Sequence, residues 1–245
     1  MLSRRELLLA ATACAACSRS SRPPITWPRT TTHEGVPFIE LFPHDADESS
    51  PIVVAVHGRG DRPERWVETW RTFPAAARIA LPRAPAPLGD GFSWFTFRDG
   101  MTDEQFGAEV GAAEEKLWRG VAKLASGGQK LVVTGFSQGG ILSFAMASRH
   151  PGAIARAFPV AGSCPGPLLP KDKARAAPIS AFHGTEDDVL AIRWAREAVH
   201  AFQEQGNEAT LREYPGVRHA LPDAMRADLW SAIVSEIART PASGR

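Results

Sequence analysis

One stretch constrains this chain more than any other. Lys130-Leu131-Val132-Val133-Thr134 runs directly into Gly135-Phe136-Ser137-Gln138-Gly139-Gly140. The first five residues read as a buried β-strand, because a short apolar, β-branched run bounded by turn residues suits the inside of a sheet. Ser137–His150 reads as a helix, stopped by Pro151, whose ring cannot continue it. A strand that turns at once into a helix leaves little room where the two cross. Gly135 and Gly139 supply that room by lacking side chains. A serine on such a turn projects its hydroxyl above the sheet, with the helix N-terminus behind it favouring negative charge. Ser137 is therefore the candidate nucleophile.

The same alternation extends along the chain. Strands are expected at Val36–Phe42, Ile52–Val56, Arg78–Pro82, Ala157–Ala161, Pro178–His183 and Thr210–Tyr214. Helices are expected at Thr102–Ala125, Ile192–Gln205 and Pro222–Ala238. In the first of these, Phe106, Val110, Leu117, Val121 and Leu124 recur at helical spacing. Strands alternating with helices imply an α/β fold, a mostly parallel sheet with helices on both faces. Ligands of such sheets sit at the carboxyl ends of the strands. Neither a repeat nor a break in composition interrupts residues 36–240, which predicts a single domain there. A chain of 245 residues hides roughly three quarters of its unfolded surface and needs no disulfide or metal to hold a core.

Residues 1–17 read as an export signal. Arg4-Arg5 precedes an apolar run from Leu7 to Cys17, about half the length of a membrane span. The Ser3–Leu8 stretch resembles a twin-arginine signal, so the bacterial periplasm or cell envelope is the expected location. Cys17, after small residues and before polar ones, is the candidate for lipidation and a membrane tether. Plain cleavage and release is the alternative. Residues 18–35, rich in Ser, Arg, Thr and Pro, read as a linker.

Several functions are disfavoured. A net charge of +1 gives no basic field for nucleic acid. No His-Glu-x-x-His, paired-cysteine or Gly-x-x-x-x-Gly-Lys pattern occurs, and Gly58-x-Gly60 lacks the third glycine of a dinucleotide fingerprint. Neither a metal nor a cofactor is expected, and no protein partner is indicated.

A serine hydroxyl needs a base, and the base needs an acid to orient it. Where the serine sits on such an elbow, the acid and then the base follow it along the chain. His219 follows the last expected strand and is the candidate base. Glu186, Asp187 and Asp188 compete for the acid. His183 reads as a packing residue of the loop that carries them. Gly58 and Gly60 let the loop His57–Asp61 turn a backbone N–H toward the serine, so the amides of Arg59 and Gln138 are the candidate oxyanion donors.

Together these motifs resemble the phospholipase/carboxylesterase family of α/β-hydrolases, which includes acyl-protein thioesterases. The resemblance covers roughly residues 36–239. It is carried by His57-Gly58-Arg59-Gly60-Asp61 with Trp66 beyond it, Ser93-Trp94-Phe95, Gly135–Gly140, His183–Asp187 and His219. It implies cofactor-free hydrolysis of carboxylic esters, some of them thioesters or lysophospholipids. By the His-Gly-x-x-Asp pattern the acid is Asp187, with Asp188 the fallback. It also implies a pocket for a small-molecule or lipid ester lined by the aromatic-rich loop Gly91–Phe97, with Trp66, Trp94 and Phe95 as candidate walls; ordinary core packing is the alternative for that loop. Two departures stand out: Asp188 replaces the usual proline after the acid, and the familiar cytosolic members lack an export signal. An exported depolymerase or feruloyl-type esterase is the competing enzymatic reading. A non-catalytic binding protein on a hydrolase scaffold is the competing class.

Overall fold

The computed structural model describes residues 26–125 and 128–239. The export signal and Cys17 lie outside them. Among these residues, ten strands and five α-helices follow in chain order: β1 (Arg29–His33), β2 (Val36–Leu41), β3 (Ile52–Val56), α1 (Val67–Arg71), β4 (Arg78–Pro82), β5 (Ala86–Leu88), β6 (Gly91–Ser93), α2 (Asp103–Leu124), β7 (Leu131–Phe136), α3 (Gln138–Arg149), β8 (Ile154–Val160), β9 (Ile179–Gly184), α4 (Ile192–Glu204), β10 (Ala209–Tyr214) and α5 (Asp223–Arg239).

Eight strands form one sheet in the order β1-β2-β4-β3-β7-β8-β9-β10. The pairs from β4 to β10 are parallel, and β1 and β2 join antiparallel at one edge. The central strands alternate as burial on two faces demands. Ile52, Val54, Val56, Leu131 and Val133 point to the layer of α2, α3 and α4. Val53, Ala55 and Val132 point to the layer of α1 and α5, where Trp70, Leu229 and Ile233 cover them. Helix α2 starts as its sequence suggests. The Thr102 hydroxyl accepts from the Gln105 amide while the Gln105 side chain accepts from the Thr102 amide, which satisfies two otherwise unpaired groups at that end.

Two stretches differ from expectation. Arg29–His33, expected as linker, is the edge strand β1, paired along its length with β2. Its Arg-Thr-Thr-Thr-His sequence is half exposed, so it carries no apolar run to announce it. The short hairpin β5–β6 is held by its neighbours rather than by its own pattern, and Ala86 and Pro87 are exposed.

The antiparallel edge encloses a charge pair. The Glu40 side chain is fully buried and accepts from the nearly buried Arg78 guanidinium and from the Thr31 hydroxyl, with Arg29 close by. Burial alone would raise the Glu40 carboxyl, but the bonds from Arg78, Thr31 and Arg29 outweigh it and hold it below the usual carboxylate value. The stability this provides is present above the unfolded carboxylate value and lost as the pH falls through the folded one. Glu40→Gln leaves the nearly buried Arg78 with only the half-exposed Glu48, at 3.3 Å, as a carboxylate partner, which costs about 3 kcal/mol. That is a large part of the ~5–15 kcal/mol that holds a domain together. The urea midpoint should drop at neutral pH. The gap from wild type should close in acid, where wild-type Glu40 is itself protonated. An unchanged midpoint at neutral pH would remove the pair from the account of stability.

Candidate active site

The parallel strands deliver the site residues at their carboxyl ends. β7 ends at Phe136, and Ser137 follows with φ 57° and ψ −115°. This is the positive-φ region that side chains resist, a strain of order 1–3 kcal/mol held in place by the surroundings. The Ser137 amide donates to the Val160 carbonyl at 3.0 Å. A Cβ on Gly135 would strike the Gly139 carbonyl, and one on Gly139 would strike the Val56 carbonyl. Strand and helix cross too closely for anything larger.

The three groups expected from the sequence meet. His219 Nε2 lies 3.0 Å from Ser137 Oγ, and His219 Nδ1 lies 2.8 Å from Asp187 Oδ2. A carboxylate can only accept, so Nδ1 carries the proton and Nε2 is free to accept from the hydroxyl. Asp187 is fixed in turn. Its Oδ1 accepts from the amides of Val189 and Leu190, at 3.0 and 2.8 Å. The Phe136 ring packs on the His219 ring, centroids 4.8 Å apart.

The neighbouring acids are elsewhere. Asp188 is exposed and pairs with Arg218. That pairing holds its carboxyl below the usual value. His183 sits under the Asp187 loop, donating from Nε2 to the Leu190 carbonyl at 2.8 Å and lying 3.2 Å from Asp187. Burial lowers its affinity for a proton.

The loop after β3 is also locked by an imidazole. His57 Nε2 accepts from the Ala84 amide at 3.2 Å, which requires its proton on Nδ1, and Nδ1 donates to the Gly58 carbonyl at 2.8 Å. Burial lowers its proton affinity as well. No loop or cap bond among the described residues takes up the Arg59 amide.

Ser137, His219, Arg59 and Gln138 open onto a cavity of about 1050 Å³. Phe95, Phe97, Phe106, Ile141, Leu169, Leu190 and Trp194 give it mainly apolar walls. Among the described residues, the exposed large hydrophobic side chains are Phe97, Val189 and Trp194, and all three line this cavity. Cys164 lines it too, but burial and then Asp103 push its thiol well above the usual value, so it is a poor nucleophile.

Of the three expected pocket walls, only Phe95 faces the cavity. Trp94 is buried behind it and donates from its indole to the His57 carbonyl at 2.9 Å. Trp66 donates to Asp61 at 2.7 Å and braces the loop after β3. Both indoles have a polar N–H that needs a partner when covered, and the scaffold provides it. Phe97, at the end of the aromatic loop Gly91–Phe97, lines the cavity as expected of that loop, whereas Val189, Leu190 and Trp194 come from a segment far along the chain that no local pattern ties to the pocket. Phe106, expected on the core-facing stripe of α2, packs edge-on against Phe95 and Phe97 and also reaches the cavity. No group of three or more potential metal ligands occurs among the described residues.

The sequence signature of the phospholipase/carboxylesterase family matches residues 42–234. The chain belongs to that family. This family member is 27% identical over 181 residues to an esterase, YpfH, of Escherichia coli, covering 69% of this chain and 76% of that one. It is 23% identical over 212 residues to acyl-protein thioesterase 1 of Gibberella zeae, covering 76% and 90%. Among solved structures it superimposes on esterase PE8 with a TM-score of 0.70 and 20% identity, covering 80% of this chain and 96% of the other. Acyl-protein thioesterase 2 of Zea mays gives 0.64 and 20%, covering 82% and 98%. The fold is thus that of the α/β-hydrolases, and the enzyme is a hydrolase of the carboxylesterase and thioesterase type.

Proposed function

We propose that this hydrolase cleaves carboxylic esters with an apolar acyl or alcohol part, through an acyl-enzyme on Ser137. The observation that carries this reading is the continuous hydrogen-bonded chain Ser137–His219–Asp187 at the mouth of an apolar cavity. His219 takes the Ser137 proton as Oγ attacks the ester carbonyl. Asp187 holds the imidazole in the required tautomer and stabilises the imidazolium. The amides of Arg59 and Gln138 receive the oxyanion, each contributing about 100- to 1,000-fold in rate. The alcohol departs with the proton from His219, and water then releases the acid by the same route. Asp103 and Glu197 are the carboxylates among the lining residues, and no cofactor enters the cycle. Export through residues 1–17, with Cys17 as tether, belongs to the same proposal and rests on sequence alone.

A fluorophosphonate probe tests the assignment. The folded full-length chain should be labelled at Ser137, and Ser137→Ala should abolish the label. Folded protein that takes no label would favour the binding-protein reading. Esters graded by acyl length then separate lipid-like from short-chain or aromatic substrates.

A further inference from the structure

The hydrogen bonds of the sheet stop short of the two oxyanion amides. The β3–β7 ladder ends at the pair Val56 and Gly135. Arg59 and Gln138 lie three residues beyond that point, in the loop after β3 and at the first position of α3. Past the ladder, one short segment, Gly91–Phe95, bonds to both sides.

On the β3 side, the Gly60 amide donates to the Phe92 carbonyl at 2.8 Å, and the Phe92 amide donates to the Asp61 carbonyl at 2.9 Å. The Trp94 indole N–H adds its bond to the His57 carbonyl. On the α3 side, a single side chain makes every link. Gln138 Oε1 accepts from the Trp94 amide at 2.9 Å and from the Ser93 hydroxyl at 3.2 Å. Its Nε2 donates to the Phe95 carbonyl at 2.9 Å. Gln138 is 5% exposed, so water competes little for these bonds. Trp94 therefore bonds left through its indole and right through its backbone.

We propose that the Trp94 indole and the Gln138 carboxamide are positioning groups that set the separation of the Arg59 and Gln138 amides. The inference rests on the oxyanion role given to those amides above. Neither side chain is assigned contact with the reacting atoms. Oxyanion donors act only when placed about 2.7–3.1 Å from the developing charge. A displacement of about 1 Å in such a constellation costs on the order of 100-fold. The competing role is local: Phe95 walls the cavity, so loosening its segment would alter ground-state binding and acyl preference instead.

Trp94→Phe keeps a ring and deletes the indole donor. Gln138→Met keeps the length and deletes all three bonds. Ser93→Ala is the mildest change, removing a hydroxyl whose single proton is shared between Gln138 Oε1 at 3.2 Å and the Phe95 carbonyl at 2.9 Å. Each is made in the full chain and measured for kcat and KM on one p-nitrophenyl ester. A trifluoromethyl ketone, which forms an oxyanion adduct with the serine, reports on the transition-state geometry. We expect kcat to fall about 10- to 100-fold for Trp94→Phe and Gln138→Met, with KM changed less than about twofold. The ketone affinity should weaken by the same factor as kcat, and Ser93→Ala should lie between these variants and wild type. Three outcomes overturn the proposal: kcat retained, KM raised with kcat intact, or a kcat loss without a matching loss of ketone affinity. If Trp94→Phe does not fold, Gln138→Met and Ser93→Ala decide. Ser137→Ala run in parallel separates the levels. Its retained turnover would defeat the nucleophile assignment itself. An inactive Ser137→Ala beside fully active positioning variants would defeat only the positioning role.

Discussion

Ser137→Ala should lose turnover on the order of a million-fold, about 8 kcal/mol of transition-state stabilisation, with KM nearly unchanged. The loss is large because the hydroxyl is the group that bonds to the substrate, while the cavity that binds it is left intact. His219→Ala should cost about as much. The double variant should be little worse than either, since a nucleophile and its base act as one unit and their effects do not add. Residual turnover well above water would be the contribution of the oxyanion amides and of binding. The measurement is hydrolysis of a p-nitrophenyl ester by purified, folded variants. Near-normal rates in either single variant would remove the residue from the mechanism.

Asp187→Asn should lower kcat about 10,000-fold, whereas Asp188→Asn should change it by less than about twofold. The contrast comes from what the two neighbours touch. An asparagine at 187 can offer its NH₂ to His219 Nδ1, which then pushes the ring proton to Nε2, where the Ser137 hydroxyl needs a lone pair. Asp188 instead faces Arg218 in water, and an exposed ion pair of this kind is worth little to the fold. Circular dichroism should confirm that both variants fold. Comparable losses at both positions, or the larger loss at 188, would reverse the assignment of the acid.

The legible parts of this molecule are those where burial dictates residue type over several consecutive positions. Ile52–Val56 and Arg78–Pro82 form strands at the expected bounds, since both faces of each are covered. The elbow is legible for a steric reason: only glycine fits at 135 and 139. The acid was narrower than its residue types allowed, and the family pattern, not the three adjacent carboxylates, separated Asp187 from Asp188. What stayed hidden is of another kind. β1 has Thr and Arg where an edge open to water tolerates them. Trp66 and Trp94 were expected at the pocket because they are aromatic and near the motifs. Their indoles turn instead toward polar partners in the scaffold, a choice set by tertiary neighbours. The cavity wall joins Phe95 to Trp194 across nearly a hundred residues, and no local pattern records such a meeting.

The exposed apolar side chains Phe97, Val189 and Trp194 that line the cavity also govern what happens to solvent. Water filling a chamber with mostly apolar walls forms few hydrogen bonds with it, and an entering hydrocarbon group returns that water to bulk. Calorimetry with a non-hydrolysable apolar ligand should therefore show a negative heat-capacity change. The enthalpy of capture would then grow more favourable with temperature while the affinity changed comparatively little, as enthalpy and entropy offset one another.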